Sequence, residues 1–306
     1  GVWLISLLVF ISNAFLAGFW LKKDQRWLGA AAVYWALLWG FSPADRLPGD
    51  YSAAKDFVLV QTNVSPYLNS LDRERISREQ LDRLAKEALP IRAGNFILPE
   101  TLFSTEITGM RDFLIEEPRS LLAGFISNHP DRRILVGAIE KDDEGFYNAA
   151  ILFDSEGHRM ASSRKRHLVP FGESIPGMAN NRWARSFGEK FGTPFFSPGD
   201  TVAPLLFGDR RAAVLICYEG TFTHLVDQAA SSADLVINIS NDAWTESRFG
   251  HEQHMRFLRF RAIETGKPVI RVGNSGPTVL FAPNGRLVAD LPYPSPAILD
   301  LSANFE

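Results

Sequence analysis

The chain has 306 residues, a formal net charge of −3 and a single cysteine. This length allows one large domain or two ordinary ones, and the slightly acidic balance gives no electrostatic reason to expect a nucleic-acid partner. With one cysteine, a disulfide within the chain is excluded.

The first 41 residues are strongly apolar. Residues 2–21 carry no charge and match the roughly 20 residues that a helix needs to cross a bilayer. A second apolar run covers residues 27–41, and the connecting loop holds Lys22, Lys23 and Arg26. We expect a transmembrane helical hairpin over residues 1–41, cut from a longer membrane region. The positive-inside rule places its basic loop in the cytoplasm and the rest of the chain across the membrane. A signal peptide, the alternative, needs a basic segment before the apolar run, and no charge precedes Lys22.

The remaining chain alternates apolar and amphipathic segments. Residues 42–54 are rich in Pro, Gly and Asp and predict a linker, followed by a soluble domain over residues 55–306. Apolar runs predict strands at residues 57–61, 96–98, 134–139, 212–217, 235–240 and 269–272. Helices are predicted at residues 72–89, 110–126, 221–230 and 249–265. Hairpins around residues 154–157 and 284–285 argue against a purely parallel sheet. An α/β fold with mixed sheets between helix layers fits this order.

Three reactive side chains lie close to predicted strands or in an unusual loop. Cys217 ends the run at residues 212–217, Glu100 follows the run at residues 96–98, and Lys165 opens a loop that reads KRHLVPFGE. Open α/β sheets place ligands and reacting groups outside the carboxyl ends of strands. Each residue taken alone also has a structural interpretation: a buried hydrophobe, a helix N-terminal carboxylate and a solvated basic turn.

Taken together, these stretches resemble the nitrilase (carbon–nitrogen hydrolase) superfamily, and within it the apolipoprotein N-acyltransferases of bacterial inner membranes. The matching motifs are KRHLVPFGE at residues 165–173, ICYE at residues 216–219 and SNDAW at residues 240–244. The resemblance covers roughly residues 57–287. It implies a nitrilase-like αββα sandwich with mixed sheets as the catalytic domain.

The resemblance also implies roles for the matching residues. Cys217 is the expected nucleophile, Glu100 the proton acceptor, and Lys165 the cation that stabilises the thiolate and the oxyanion. Glu173 is expected to orient Lys165 or its loop.

Further residues are expected to shape the site around this triad. Tyr218 and Glu219 follow the nucleophile, and the backbone N–H of Tyr218 is the expected second oxyanion donor. Trp244 and Asn241 are expected to line the substrate cavity, although Trp244 also fits a packed aromatic.

The implied reaction is a two-step acyl transfer without a cofactor. An acyl chain moves from a membrane phospholipid to Cys217 as a thioester, and then to the α-amino group of a lipoprotein's diacylglyceryl-cysteine. We expect a monomer in the bacterial inner membrane, with the catalytic domain on the periplasmic side. One alternative is a membrane-tethered amidase with the same three residues, and the other is a non-catalytic membrane-anchored binding domain.

The histidines suggest two other site types. His167 would suit a Cys–His hydrolase, but the resemblance favours a structural residue. The run from His251 to His254 lacks the HExxH spacing of zinc enzymes, so no metal site is expected.

Two departures from the resembled family concern substrate binding rather than the triad. Thr245-Glu246 follows the Ala-Trp pair where the family usually has Phe-Gly, and Ser70 or Leu71 is the nearest residue to an expected Trp.

Overall fold

The computed structural model describes residues 2–40, 49–64, 70–100, 106–108, 122, 124–125, 129–176, 195–200, 203–245 and 247–305. The chain divides into two compact units, Gly1–Pro48 and Gly49–Glu306. The predicted helix at residues 110–126 lies almost wholly outside the described residues.

The first unit is a pair of packed helices, α1 (Val2–Lys22) and α2 (Arg26–Gly40). The Tyr34 hydroxyl donates a hydrogen bond to the Leu8 carbonyl at 2.9 Å, which joins the two helices. Residues 4–22 of α1, with a mean hydropathy of 2.1, are long and apolar enough to cross a membrane. The expectation of two spanning helices is wrong for α2 in the described part of the chain. Its 15 residues extend about 22 Å, and a bilayer core is about 30 Å thick.

The second unit alternates strands and helices. The strands are β1 (Phe57–Gln61), β2 (Asn95–Ile97), β3 (Glu106–Thr108), β4 (Arg133–Asp142), β5 (Gly145–Phe153), β6 (Arg159–Arg164), β7 (Leu205–Phe207), β8 (Arg210–Ile216), β9 (Leu235–Ser240), β10 (Val269–Gly273), β11 (Val279–Phe281), β12 (Leu287–Asp290) and β13 (Ala297–Asp300). The helices are α3 (Ser70–Ala88), α4 (Thr223–Ala230) and α5 (Arg248–Thr265).

These strands form two mixed sheets in the described part of the chain. The first has the order β13-β1-β2-β4-β5-β6, with β3 also paired to β4, and the second has the order β12-β11-β10-β9-β8-β7. The strands β1, β2 and β4 run parallel, as do β8, β9 and β10. Hairpins supply the antiparallel strands at the other edges, whereas the edge strand β13 pairs antiparallel with β1 from the far end of the chain. Parallel strands in a sheet covered on both faces read as continuous apolar runs, which explains why β1 and β9 were predicted with their observed bounds.

Apolar side chains pack in three layers and hold the sheets and helices together. Between the sheets lie Leu59, Leu135, Leu152, Ile216, Ile237 and Ile270, all fully buried. On the outer face of the first sheet, Leu81 and Leu84 of α3 cover the strands. On the outer face of the second, the helices α4 and α5 contribute Leu225, Val226 and Leu258. The nitrilase-like αββα order of layers is therefore confirmed.

The strand β8 ends one residue earlier than the apolar run predicted. Cys217 begins a 3₁₀ turn, Cys217–Thr221, rather than closing the strand. The short strands β3, β7 and β13 were not predicted, because three or four residues give too brief a pattern to stand out from neighbouring loops.

Candidate active site

Cys217 lies in a strained turn where β8 ends. Its φ angle is +52°, in the left-handed region that residues with a Cβ adopt at a cost of about 1–3 kcal/mol. Its carbonyl oxygen accepts a hydrogen bond from Asn238 Nδ2 at 3.1 Å and lies 3.3 Å from His254 Nε2. Side chains from β9 and α5 therefore hold the backbone of this residue in place.

A buried ion pair connects the other two predicted catalytic residues. Lys165 Nζ lies 3.1 Å from Glu100 Oε1 and 2.8 Å from Glu173 Oε1. The Lys165 side chain is 1% exposed, and its backbone N–H donates to the Asn148 carbonyl at the end of the β5–β6 pairing. One ammonium thus bridges two carboxylates in a water-poor pocket.

Asn148 completes this cluster and was missed by the sequence analysis. Its Nδ2 donates to Glu100 Oε1 at 2.7 Å and to Glu173 Oε1 at 2.9 Å. Its Oδ1 is buried and has no hydrogen-bond partner within the described ranges. A signal was present, because Asn148 is a polar residue in the apolar β5 sequence GFYNAAILF.

The charges of this cluster act on the Cys217 thiol. Burial, together with the nearby Glu100 carboxylate, raises the pKa of Cys217 to about 12, and Lys165 opposes the shift. Burial by itself would lower the pKa of Lys165, but the carboxylates of Glu100 and Glu173, together with the thiolate form of Cys217, raise it above its ordinary range. At neutral pH the site therefore holds a neutral thiol beside a charged ammonium, and a base is needed to form the thiolate.

Two further carboxylates fix the loop that begins at Lys165. Glu173 accepts the Val169 N–H at 2.8 Å with its second oxygen. Glu219 accepts the backbone N–H groups of Arg166, His167 and Ile216 at 2.7, 3.2 and 2.9 Å. Burial raises the pKa of Glu219, although these three donors oppose the shift. Glu219 therefore ties the lysine loop to the nucleophile turn.

The residues expected around the cavity have different surroundings. The Asn241 N–H donates to Glu100 Oε2 at 2.8 Å, whereas its Oδ1 accepts from Ala243 N–H and from Asn274 Nδ2. Trp244 is 69% exposed, so it is not a packed core aromatic. Tyr218 is 38% exposed, with its ring edge-on to Phe222. The cavity roles of Asn241 and Trp244 stay predictions.

The histidines occupy two separate places. The His167 ring packs 4.6 Å from Phe222 and 5.8 Å from His224. His251 Nε2 lies 3.1 Å from the Asp242 carbonyl oxygen and 2.9 Å from that of Thr245. The departure from the family pattern at residue 246, and the side chains of residues 70 and 71, lie outside the described residues.

One cluster in the described part of the chain, formed where α5 meets the turns after β8 and β9, has metal-like spacing. Ligand atoms of Cys217, Asp242 and His254 lie within 4.8 Å of one another. However, the Asp242 carboxylate is paired with the buried Arg271 guanidinium and also accepts from Ser240 Oγ at 2.9 Å. We therefore interpret these three residues as part of a hydrogen-bond network rather than as a metal centre.

The chain folds as a four-layer αββα sandwich of two mixed sheets, which is the fold of the nitrilase class of proteins, and Glu100, Lys165 and Cys217 follow its strands β2, β6 and β8. A family model described as carbon–nitrogen hydrolase matches residues 126–300. The chain belongs to the carbon–nitrogen hydrolase family.

Curated relatives of the chain carry a more specific name. An apolipoprotein N-acyltransferase from Sinorhizobium medicae is 32% identical over 243 residues, which cover 75% of this chain and 44% of that relative. An apolipoprotein N-acyltransferase from Nitrosomonas europaea is 29% identical over 299 residues, covering 95% of this chain and 57% of that relative. The chain thus spans about half the length of these relatives.

The fold is also similar to a solved structure. A variant of the amidase from Nesterenkonia sp. AN1, in which the acetamide moiety of fluoroacetamide is covalently added at the active-site cysteine, gives a TM-score of 0.57. The two sequences are 21% identical, and the match covers 81% of this chain and 92% of the amidase. At this level of identity the likeness supports the shared fold.

Proposed function

We propose that the protein is an N-acyltransferase that moves an acyl chain from a membrane phospholipid to the α-amino group of the diacylglyceryl-cysteine of a lipoprotein, through a thioester on Cys217. The observation that carries this proposal is the buried Glu100–Lys165 pair, whose charges act on the thiol of a cysteine held in a strained turn. The similarity to apolipoprotein N-acyltransferases supplies the choice of substrates.

In the first step, Cys217 Sγ attacks the ester carbonyl of the phospholipid. Glu100 takes the thiol proton as the C–S bond forms, because the thiol is neutral at rest. The Lys165 ammonium stabilises the developing oxyanion. When the intermediate collapses, the ester C–O bond breaks, Glu100 returns the proton to the leaving oxygen, and a lysophospholipid departs.

In the second step, the neutral α-amino group of the lipoprotein attacks the thioester carbonyl. Glu100 accepts a proton from the amine, the C–S bond breaks, and the thiolate leaves and recovers the proton from Glu100. The products are the amide and the free Cys217 thiol, so no oxidant, reductant or cofactor is consumed. A reaction of this kind needs only a nucleophile, a base and a cation.

The supporting residues contribute positions rather than new chemistry. The carboxylate of Glu173 keeps Lys165 charged while Glu100 carries the proton, because both carboxylates contact the same ammonium. The Tyr218 N–H is at the start of a 3₁₀ turn, where the first N–H groups have no partner within the helix, and we assign it as the second oxyanion donor.

Both proposed substrates are lipids or lipid-linked, which fits a catalytic unit attached to the apolar helix α1. We place the protein in the bacterial inner membrane as a monomer, with the catalytic unit on the periplasmic side. We expect a reporter enzyme that works only outside the cytoplasm to be active when it is fused after Glu306. If, instead, a reporter that works only in the cytoplasm is active at this position, the topology is wrong.

The test of the reaction is intact mass spectrometry of the full-length protein after incubation with phospholipid and no acceptor. We expect a mass increase of one acyl chain on Cys217, which disappears when a diacylglyceryl lipopeptide with a free amino terminus is added. The variant Cys217→Ala is the control and gains no mass. An unmodified Cys217 in a protein that hydrolyses small amides would replace the transferase with the amidase alternative.

A further inference from the structure

Four side chains form a closed ring of contacts with the nucleophile backbone. Arg271 pairs with the Asp242 carboxylate, and Asp242 Oδ1 lies 3.0 Å from His254 Nδ1. His254 Nε2 lies 3.3 Å from the Cys217 carbonyl oxygen, which also accepts from Asn238. The Arg271 guanidinium reaches Asn238 Oδ1 at 3.4 Å and closes the ring. The ring joins β9, β10 and α5 to the turn that presents Cys217.

The two ring nitrogens of His254 both face oxygen acceptors. A backbone carbonyl such as that of Cys217 only accepts, and a carboxylate accepts as long as it is ionised. Burial alone would raise the pKa of Asp242, but the Arg271 charge and the His254 hydrogen bond lower it below its ordinary range. Asp242 is therefore ionised at neutral pH, and both contacts are satisfied when each nitrogen of His254 carries a hydrogen.

We infer that His254 is a positioning residue, an imidazolium that spans Asp242 and the Cys217 carbonyl and holds the nucleophile in its left-handed turn. A left-handed cysteine persists where its surroundings compensate for the strain, and the two donors to its carbonyl do so here. The positive charge next to the nucleophile also favours the thiolate. This inference deepens the proposed acyl transfer and rests on Cys217 as its nucleophile.

The direct test is nuclear magnetic resonance of the full-length protein in detergent, with ¹⁵N-labelled histidine, at neutral pH. The His254 signals are assigned as those that vanish in His254→Gln. We expect both ring nitrogens of His254 to carry hydrogen. If either ring nitrogen of His254 carries no hydrogen, the inference is overturned. The protonation is read from the parent protein, and His254→Gln serves only to assign the signals.

The kinetic test compares His254→Gln and His254→Ala with the parent protein. Glutamine keeps an amide donor for the Cys217 carbonyl but has no charge, and alanine has neither. We expect the rate of Cys217 alkylation by iodoacetamide to fall roughly tenfold in His254→Gln, the effect of one charge-assisted hydrogen bond, and further in His254→Ala. The kcat for acyl transfer should fall in the same order, with KM for the phospholipid unchanged.

The matched control is Arg256→Gln, which removes an exposed cation from the same helix. It should alkylate and turn over like the parent. Alkylation at the parental rate in both His254 variants overturns the inference. Iodoacetamide needs no lipid, so the alkylation and resonance experiments test the role of His254 without the acyl-transfer reaction. If phospholipid leaves no acyl adduct on Cys217, that result contradicts the proposed function but not the role of His254.

Discussion

At the scale of single residues, the buried cluster conserves its charge during the proposed proton transfer. The resting cluster holds the carboxylates of Glu100 and Glu173, the ammonium of Lys165 and a neutral Cys217 thiol, which together carry one negative charge. After the proton moves from the thiol to Glu100, one carboxylate, one thiolate and one ammonium again carry one negative charge. Creating new net charge in a buried site is costly, so this exchange avoids a large desolvation penalty.

The first prediction separates the two effects of Glu100 on the thiol. Glu100→Gln removes a negative charge that raises the pKa of Cys217, so the pH profile of iodoacetamide alkylation should shift to lower pH. The same variant lacks the base, so acyl transfer should fall by about 10²–10⁴-fold. Alkylation and acyl transfer therefore change in opposite directions.

The control for this experiment is Glu156→Gln, which alters an exposed carboxylate in the β5–β6 turn. It should leave both profiles unchanged. A Glu100→Gln profile that shifts to higher pH, or a variant that retains full acyl transfer, contradicts the assigned role.

The second prediction concerns the residue that the sequence analysis missed. Asn148→Ala removes the single amide group that donates to both Glu100 and Glu173. We expect the free energy of unfolding to fall by about 1–3 kcal/mol, because two buried acceptors lose a donor. Denaturant unfolding measures the change, and Gln228→Ala, on the exposed face of α4, provides an amide deletion that should be close to neutral. If the two variants lose the same free energy of unfolding, the stabilising role of Asn148 in the cluster is contradicted.

At the scale of secondary structure elements, the site depends on how α5 begins and ends. The Ser247 hydroxyl accepts the Gly250 N–H at 3.3 Å and caps the first turn. Gly266 ends the helix in the left-handed conformation, with a φ angle of 64°. These two caps set where the helix that carries His254 begins and ends.

The third prediction tests the end of this helix. A Cβ at Gly266 would meet no atom within 4 Å, so Gly266→Ala costs only the left-handed backbone strain. We expect a loss of about 1–2 kcal/mol in the free energy of unfolding. Gly266→Asn is the matched variant and should lose less, since asparagine tolerates this conformation better. Thermal or denaturant unfolding gives both values, and an asparagine variant that is less stable than the alanine variant contradicts the explanation.

At the scale of the whole molecule, one buried ion pair connects the second sheet with the turn after β9 and with the helix α5. Arg271 of β10 is fully buried and pairs with Asp242, which follows β9. Asp242 in turn contacts α5 through His254. The pair therefore couples the folding of the second sheet to the geometry of the catalytic turn, even though neither residue belongs to the proposed triad.

The fourth prediction is that Asp242→Asn destabilises the protein by about 3–5 kcal/mol at neutral pH, because it leaves the Arg271 charge buried without a counter-ion. The pKa of Asp242 is lower in the folded state than in the unfolded state. Its contribution is therefore complete above about pH 4 and is lost as the pH falls through the folded-state pKa. The stability gap between parent and variant should narrow in acid.

Denaturant unfolding across this pH range provides the measurement. Asp234→Asn is the control, since Asp234 pairs with Arg211 at the surface and should contribute no more than about 1 kcal/mol. If the difference in unfolding free energy between the parent and Asp242→Asn widens as the pH falls, the explanation is contradicted.

The sequence was sufficient for the strands of the sandwich interior and for the three proposed catalytic residues. The strands β1 and β9 are mainly apolar runs, and the motifs around Lys165 and Cys217 are long enough to indicate the family. It was insufficient for β3, β7 and β13, which are short, and it wrongly predicted that the apolar run at residues 27–41 spans a membrane. Asn148 escaped notice because its role depends on two carboxylates that lie 48 and 25 residues away along the chain.

By itself the sequence indicated an α/β fold with mixed sheets, because the period and length of apolar runs depend on local chemistry, and the family resemblance of its motifs implied the αββα order of the layers. It also determined which side chains carry the proposed chemistry, because the motifs are contiguous. Only the tertiary structure decided the partners of those side chains: the shared ammonium, the Asn148 bridge, and the ring that ends on the Cys217 carbonyl. These contacts join residues distant in sequence, and no local pattern specifies which of many polar groups will meet in the folded interior.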